Sequence, residues 1–198
     1  MCNAGGSFLL DELKNVLAAA EAASNISVVI LKSIGKTFCA GYDLSPEDWI
    51  ISQFPADFEA GVDLQKDRED IINLLKYWLE LWKFPKPIIA SVQGPALSGA
   101  GELLAMCDLV VASDQAQFGH PAGRDLGIPP TVFLWPLLIG MRKTKELLYT
   151  AKLIDAEEAK ILGLINEVVP AEDLDARTRA LAEDVARTPV NHLKLLKE

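Results

Sequence analysis

Four short runs rich in apolar residues constrain this chain most: 28–31 (VVIL), 88–92 (IIASV), 109–112 (LVVA) and 164–169 (LINEVV). A strand that is apolar at successive positions has both faces covered, the pattern of a parallel sheet packed between helices. Helix-period segments separate the runs. Over 8–22, Leu9, Leu10, Leu13, Val16 and Leu17 recur at three-to-four spacing. Over 69–84, Ile71, Ile72, Leu74, Leu75, Trp78, Leu79 and Trp82 cover a wide face, and Pro85 and Pro87 end it. Further helices are expected over 102–106, 143–150 and 174–186. Asp155-Ala156-Glu157-Glu158 resembles a capping box, opening a helix that Gly163 closes. Strands alternating with helices predict an α/β fold with largely parallel strands. The 198 residues show no internal repeat and read as a single domain, 1–198, able to bury a sizeable core. Residues 44–68, with two prolines and many acids, read as a mobile loop with short helices, and 118–130 as a Gly/Pro-rich loop.

Charge and cysteine usage remove several classes of function. Lys plus Arg number 19 against 28 Asp plus Glu, a formal net charge of −9. The densest basic run is Arg142-Lys143-Thr144-Lys145, which is no patch for a phosphate backbone, so nucleic-acid binding is not expected. Cys2, Cys39 and Cys107 are odd in number and form no C-x-x-C, and only two His are present. Neither a disulfide framework nor a zinc site is expected, which fits a reducing cytoplasm. No run approaches the roughly 18 apolar residues of a membrane span, and Met1-Cys2-Asn3-Ala4-Gly5-Gly6 lacks the charge and apolar stretch of a signal peptide. A cytoplasmic location is expected, with the mitochondrial and peroxisomal matrices left open.

Two glycine-bearing turns each follow an apolar run: 39–44 (CAGYDL) and 94–102 (GPALSGAGE). Glycine lets backbone approach a ligand closely. The second turn opens a helix, whose first N–H groups lack intrahelical acceptors and sit at the positive dipole end. Two such donors aimed at one point would form an oxyanion hole, the device that stabilises an enolate or a tetrahedral alkoxide. Two ordinary tight turns would show the same spacing. Gly99-Ala100-Gly101 falls short of the G-x-G-x-x-G dinucleotide pattern. Glu102, at a helix start among apolar neighbours, is expected either as a desolvated acid/base with raised pKa or as a plain complement to the dipole. Ser98 at the same helix start, with His120-Pro121 22 residues on and Asp125 or Asp114 to orient the His, leaves a Ser–His–Asp hydrolase open, as on the related Clp-type fold.

The blocks 38–44 (FCAGYDL), 86–113 (KPIIASVQGPALSGAGELLAMCDLVVAS), 116–121 (AQFGHP) and 151–170 (AKLIDAEEAKILGLINEVVP) occur in one order. Together they resemble the crotonase (enoyl-CoA hydratase/isomerase) superfamily, from about residue 8 to 198. The resemblance implies a spiral of β-β-α units, here lacking the usual N-terminal strands and C-terminal helices. It implies acyl-CoA thioester substrates, homotrimers or dimers of trimers, enolate chemistry, and no metal or redox cofactor. Position by position, the main-chain N–H donors fall on Tyr42 and Gly99, and the first catalytic carboxylate on Glu102. Ala40, Tyr42, Asp43, Leu44, Ser45 and Gly99 would contact the substrate or its CoA.

The departures are specific. Tyr42 stands where Ala is usual, and its ring would narrow the pocket. Phe118-Gly119-His120-Pro121-Ala122 carries Ala where the second hydratase carboxylate is expected, with Asp125 as a candidate substitute. Pro129 to Trp135 replaces a Gly-rich segment, which implies an altered acyl pocket. Enoyl-CoA hydration or isomerisation is the expected activity. A non-catalytic acyl-CoA or subunit-binding relative and the Ser98–His120 hydrolase are the alternatives.

Overall fold

The strand β4, Ile88–Val92, is buried at all five positions, and the sheet grows outward from it. The computed structural model describes residues 4–5, 7–43, 64–126, 130 and 134–197. Strands β2 (Val29–Lys32) and β6 (Leu109–Ser113) flank β4, and β9 (Glu167–Val169) extends the sheet beyond β6, every pair parallel. The alternating faces of β4 meet different partners. Ile89 packs with Leu174 and Ala182 of helix α8 (Leu174–Ala186), and Ser91 Oγ accepts a hydrogen bond from the Thr178 hydroxyl of that helix at 3.2 Å. Ala90 and Val92 enter a second cluster with Phe38, Phe118, Trp135 and Leu147. That two-sided cover is why the run reads as continuously apolar.

Each turn of the chain repeats one pattern. Strands β2, β4 and β6 are each followed by a shorter strand, β3 (Gly41–Tyr42), β5 (Ala96–Leu97) and β7 (Gln117–Gly119). Helices α2 (Leu64–Trp82), α3 (Gly99–Met106) and α4 (Pro121–Leu126) follow in turn. The short strands build a second ladder: a parallel bridge joins Cys39 to Ala96, β5 pairs β7 in parallel, and β7 pairs β8 (Ile154–Asp155) antiparallel. The second and third β-β-α units each add one strand to both ladders, and the first reaches the second ladder through the Cys39–Ala96 bridge, while β3 itself pairs with β1 (Ala4–Gly5); this is the expected spiral. Helix α1 (Ser7–Ala22) lies against α2: Leu10, Leu17, Leu74, Trp78 and Leu81 pack with Tyr42, Ile88 and Met106.

Several expectations need correction. Helix α2 begins at Leu64, so residues 64–68 are helical and not loop; its first turns (LQKDR) are too polar to show periodicity. The segment 118–130 is not loop throughout: it holds the end of β7 and all of α4. Helix α1 is preceded by a two-residue strand, β1 (Ala4–Gly5), paired with β3. Helices α5 (Trp135–Ile139) and α9 (Val190–Lys197) were not expected, α6 (Met141–Thr150) starts two residues early, and α3 starts at Gly99. Helix α7 (Ala156–Leu162) is capped as expected. The expectations for 44–63, including Leu44 and Ser45, and for Pro129 and 131–133 fall outside the described residues.

Candidate active site

The entrance to α3 is bent into an unusual backbone. Ser98 has φ 51° and ψ −118°, a conformation that non-glycine residues adopt only at a cost. Neighbouring strands hold it there. The Ser98 N–H donates to the Gly119 carbonyl at 2.8 Å, the Gly101 N–H donates to the Ser98 carbonyl at 2.8 Å, and the Ala122 N–H donates to Ser98 Oγ at 3.4 Å. This turn meets the other glycine turn directly. Gly41 has φ +111°, and a Cβ on it would lie 2.8 Å from Ser98 Cβ, 3.1 Å from the Leu97 carbonyl oxygen and 3.4 Å from the Gly99 nitrogen. Glycine is required at 41 for both its φ and the approach of the two backbones.

Tyr42 then closes the corner. A Cβ on Gly99 would lie 2.9 Å from Tyr42 Cε2 and Cζ, so the ring rests on the Gly99 backbone. Its hydroxyl donates a hydrogen bond to Glu102 Oε2. Glu102 is 2% exposed and Tyr42 9%. An ionisable group at that depth needs a partner, and the phenol supplies one. The first N–H groups of α3 are at a dipole end that already carries this acid in its first turn. A cavity of about 30 Å³ lies beside them, between Gly41, Tyr42 and Gly99 on one side and Leu10, Trp78 and Leu103 on the other. The Trp78 indole N–H is buried and has no partner among the described residues.

Such a corner sets the entrance to α3, a buried carboxylate and an apolar cavity side by side. It suits proton transfer beside a developing oxyanion. A family model described as enoyl-CoA hydratase/isomerase matches residues 1–198. The chain belongs to the enoyl-CoA hydratase/isomerase family.

Solved structures of this crotonase superfamily share the fold. An enoyl-CoA hydratase/isomerase from Xanthobacter autotrophicus Py2 aligns with a TM-score of 0.85 at 29% identity, covering 98% of this chain and 69% of that one. An enoyl-CoA hydratase from Bacillus anthracis aligns with a TM-score of 0.81 at 32% identity, covering 98% and 72%. The chain spans 67% and 65% of the length of two curated relatives, from Thermus thermophilus and Mycobacterium tuberculosis, at 32% and 34% identity.

The structure brings Tyr42, Gly99 and Glu102 of this hydratase/isomerase chain together. Ala40 is exposed and Asp43 half-buried at the mouth of the first turn. Asp125 lies elsewhere in character: it is exposed and paired with Arg124 at 2.8 Å, while Arg124 also donates to the Thr150 carbonyl at 3.0 Å. The pairing of Leu97 with Gly119 carries Ser98 and His120 to adjacent positions, both buried, whereas Asp114 is exposed. Burial pushes the Cys39 thiol up, and burial with the Asp108 charge beside it pushes the Cys107 thiol up to about 12. Neither is poised as a nucleophile. Among the described residues no three His, Cys, Asp or Glu side chains group as a metal site, and no helix is long and apolar enough to cross a membrane. Sequence reasoning gives Tyr42 a main-chain donor and a ring that narrows the pocket, but no bond through its hydroxyl. The side-chain bond to a residue 60 positions away had no local signal.

Proposed function

We propose that this chain binds an acyl-CoA thioester and catalyses enoyl-CoA hydration, or the related double-bond isomerisation. The observation that carries the reading is the contact of the Gly41 and Ser98–Gly99 turns beside the buried Glu102. The N–H groups of Tyr42 and Gly99 hold the thioester oxygen, and charge that develops there as an enolate forms is met by donors already in place. Glu102 moves the proton. Ala40, Tyr42, Asp43 and Gly99, with Leu44 and Ser45 next in sequence, contact the substrate or its CoA. Proton transfer and oxyanion stabilisation suffice for this chemistry, so no metal or redox cofactor is assigned. Assembly as a homotrimer or a dimer of trimers is assigned on the family resemblance alone.

A non-catalytic acyl-CoA or subunit binder is the second reading, favoured by Ala122. The hydrolase reading is weaker, because Ser98 Oγ already accepts from the Ala122 N–H and both candidate acids are exposed. Incubation with crotonyl-CoA, a 3-enoyl-CoA and a saturated acyl-CoA, followed by product mass and the ultraviolet absorbance of the conjugated thioester, separates the readings. Hydration adds one water to crotonyl-CoA, isomerisation converts the 3-enoyl ester without mass change, and hydrolysis frees CoA. Tight binding with three unchanged esters identifies the binder.

A further inference from the structure

Adding water across a conjugated thioester takes two proton-handling groups, one for the attacking water and one for C2. Glu102 is one. The Ala122 side chain has no exchangeable proton, and its main-chain N–H donates to Ser98 Oγ, so position 122 lies against the same entrance to α3. Asp125 is exposed and tied to Arg124. The side chain that does meet Glu102 is Tyr42, through its hydroxyl, with its ring on Gly99 and its edge on the small cavity. We propose that the Tyr42 hydroxyl is the second proton-handling group, filling the part that Ala122 leaves vacant; this rests on the enoyl-CoA reading above.

The step balances. Glu102 takes a proton from water as the water oxygen bonds to C3. The C2–C3 π pair moves toward the carbonyl, giving an enolate whose oxygen is held by the main-chain donors. Tyr42 passes its hydroxyl proton to C2 as the enolate collapses, and recovers a proton from Glu102 along their hydrogen bond. One water is added, and both side chains return to their starting states. Tyr is among the side chains able to act in this way.

The test is steady-state hydration of crotonyl-CoA by the full chain and its variants. Tyr42→Phe is expected to lower kcat by about 100-fold while KM moves less than about threefold. Adding Ala122→Glu to Tyr42→Phe is expected to recover at least about tenfold, because it returns a carboxylate to the vacant position. Thermal unfolding checks that Tyr42→Phe is folded. Should it not fold, 3-fluorotyrosine at position 42 replaces it: its more acidic hydroxyl moves the alkaline limb of the kcat profile to lower pH. Tyr42→Phe with wild-type kcat, an alkaline limb unmoved by fluorination, or a loss that Ala122→Glu leaves unrelieved overturns the assignment. So does loss in Asp125→Asn with Tyr42→Phe unaffected, which hands the role to Asp125. A wild-type chain inert toward all three CoA esters overturns the enoyl-CoA reading and this assignment with it, whereas the other outcomes leave that reading standing.

Discussion

The helices α3 and α7 open in opposite ways. At α7, Asp155 has an ordinary extended backbone, φ −78°, and its side chain accepts from the Glu158 N–H at 2.8 Å. At α3, Ser98 sits at φ 51°, and its side chain caps no N–H of α3. Its hydroxyl faces across to α4 instead. The two helices also end differently: Gly163 at φ 83° closes α7 with its N–H on Ala159 and Lys160, whereas α3 stops at an extended Cys107. Helix α7 follows every local rule for starting and stopping. Helix α3 breaks the starting rule and keeps its first donors uncapped by its own N-cap residue. Local rules are most often broken where function needs it.

Glu102→Gln should break the comparison hardest. Removing the proposed acid/base from the α3 entrance is expected to lower crotonyl-CoA turnover by about 100-fold or more, read as kcat, with thermal stability little changed. Gly41→Ala comes next. It demands a positive φ from alanine and places Cβ 2.8 Å from Ser98 Cβ, so a loss of about 2–4 kcal/mol is expected in urea unfolding. A loss under about 0.5 kcal/mol would mean that the two turns are not locked together. Asp155→Ala tests the obedient helix: about 1 kcal/mol of stability lost, with turnover unchanged. A drop in turnover there would couple α7 to the site and erase the contrast.

The smallest expected effect is in alkaline stability. Cys107 lies at the end of α3, and its thiol is raised from 9.0 to about 12, first by burial and then by the Asp108 charge. The unfolded chain loses that proton near pH 9 while the folded chain keeps it. The thiol's contribution is therefore complete below pH 9 and is lost as pH rises toward 12. The urea midpoint of wild type should fall between pH 8.5 and pH 10.5 more than that of Cys107→Ala. Equal falls would remove Cys107 from the account.

What the sequence made legible follows the same divide. The runs at 88–92 and 109–112 and the helix at 174–186 announced themselves because burial on both faces, or on one helical stripe, writes a pattern into consecutive residues. Asp155 and Gly163 announced α7 because capping is local. The polar first turns of α2, the five residues of α5 and the strand-then-helix over 117–126 carry little periodicity, and tertiary contacts set them. At the site, residue types and spacing marked Tyr42, Gly99 and Glu102 through a family resemblance. Spacing alone favours two ordinary tight turns. The approach of Gly41 to Ser98 and the Tyr42 hydroxyl on Glu102 join residues 57 and 60 positions apart, and no local pattern encodes them or the Ser98 backbone.

The proposed convergence of the two turns on one thioester oxygen has a direct spectroscopic readout. Butyryl-CoA labelled with ¹³C at the thioester carbonyl, a saturated ester that takes up no water, would be bound to the full chain and its carbonyl stretch followed by difference infrared spectroscopy. Two main-chain donors on that oxygen predict a band shifted to lower frequency on binding. A bound ester whose carbonyl band stays at its solution frequency would contradict the account.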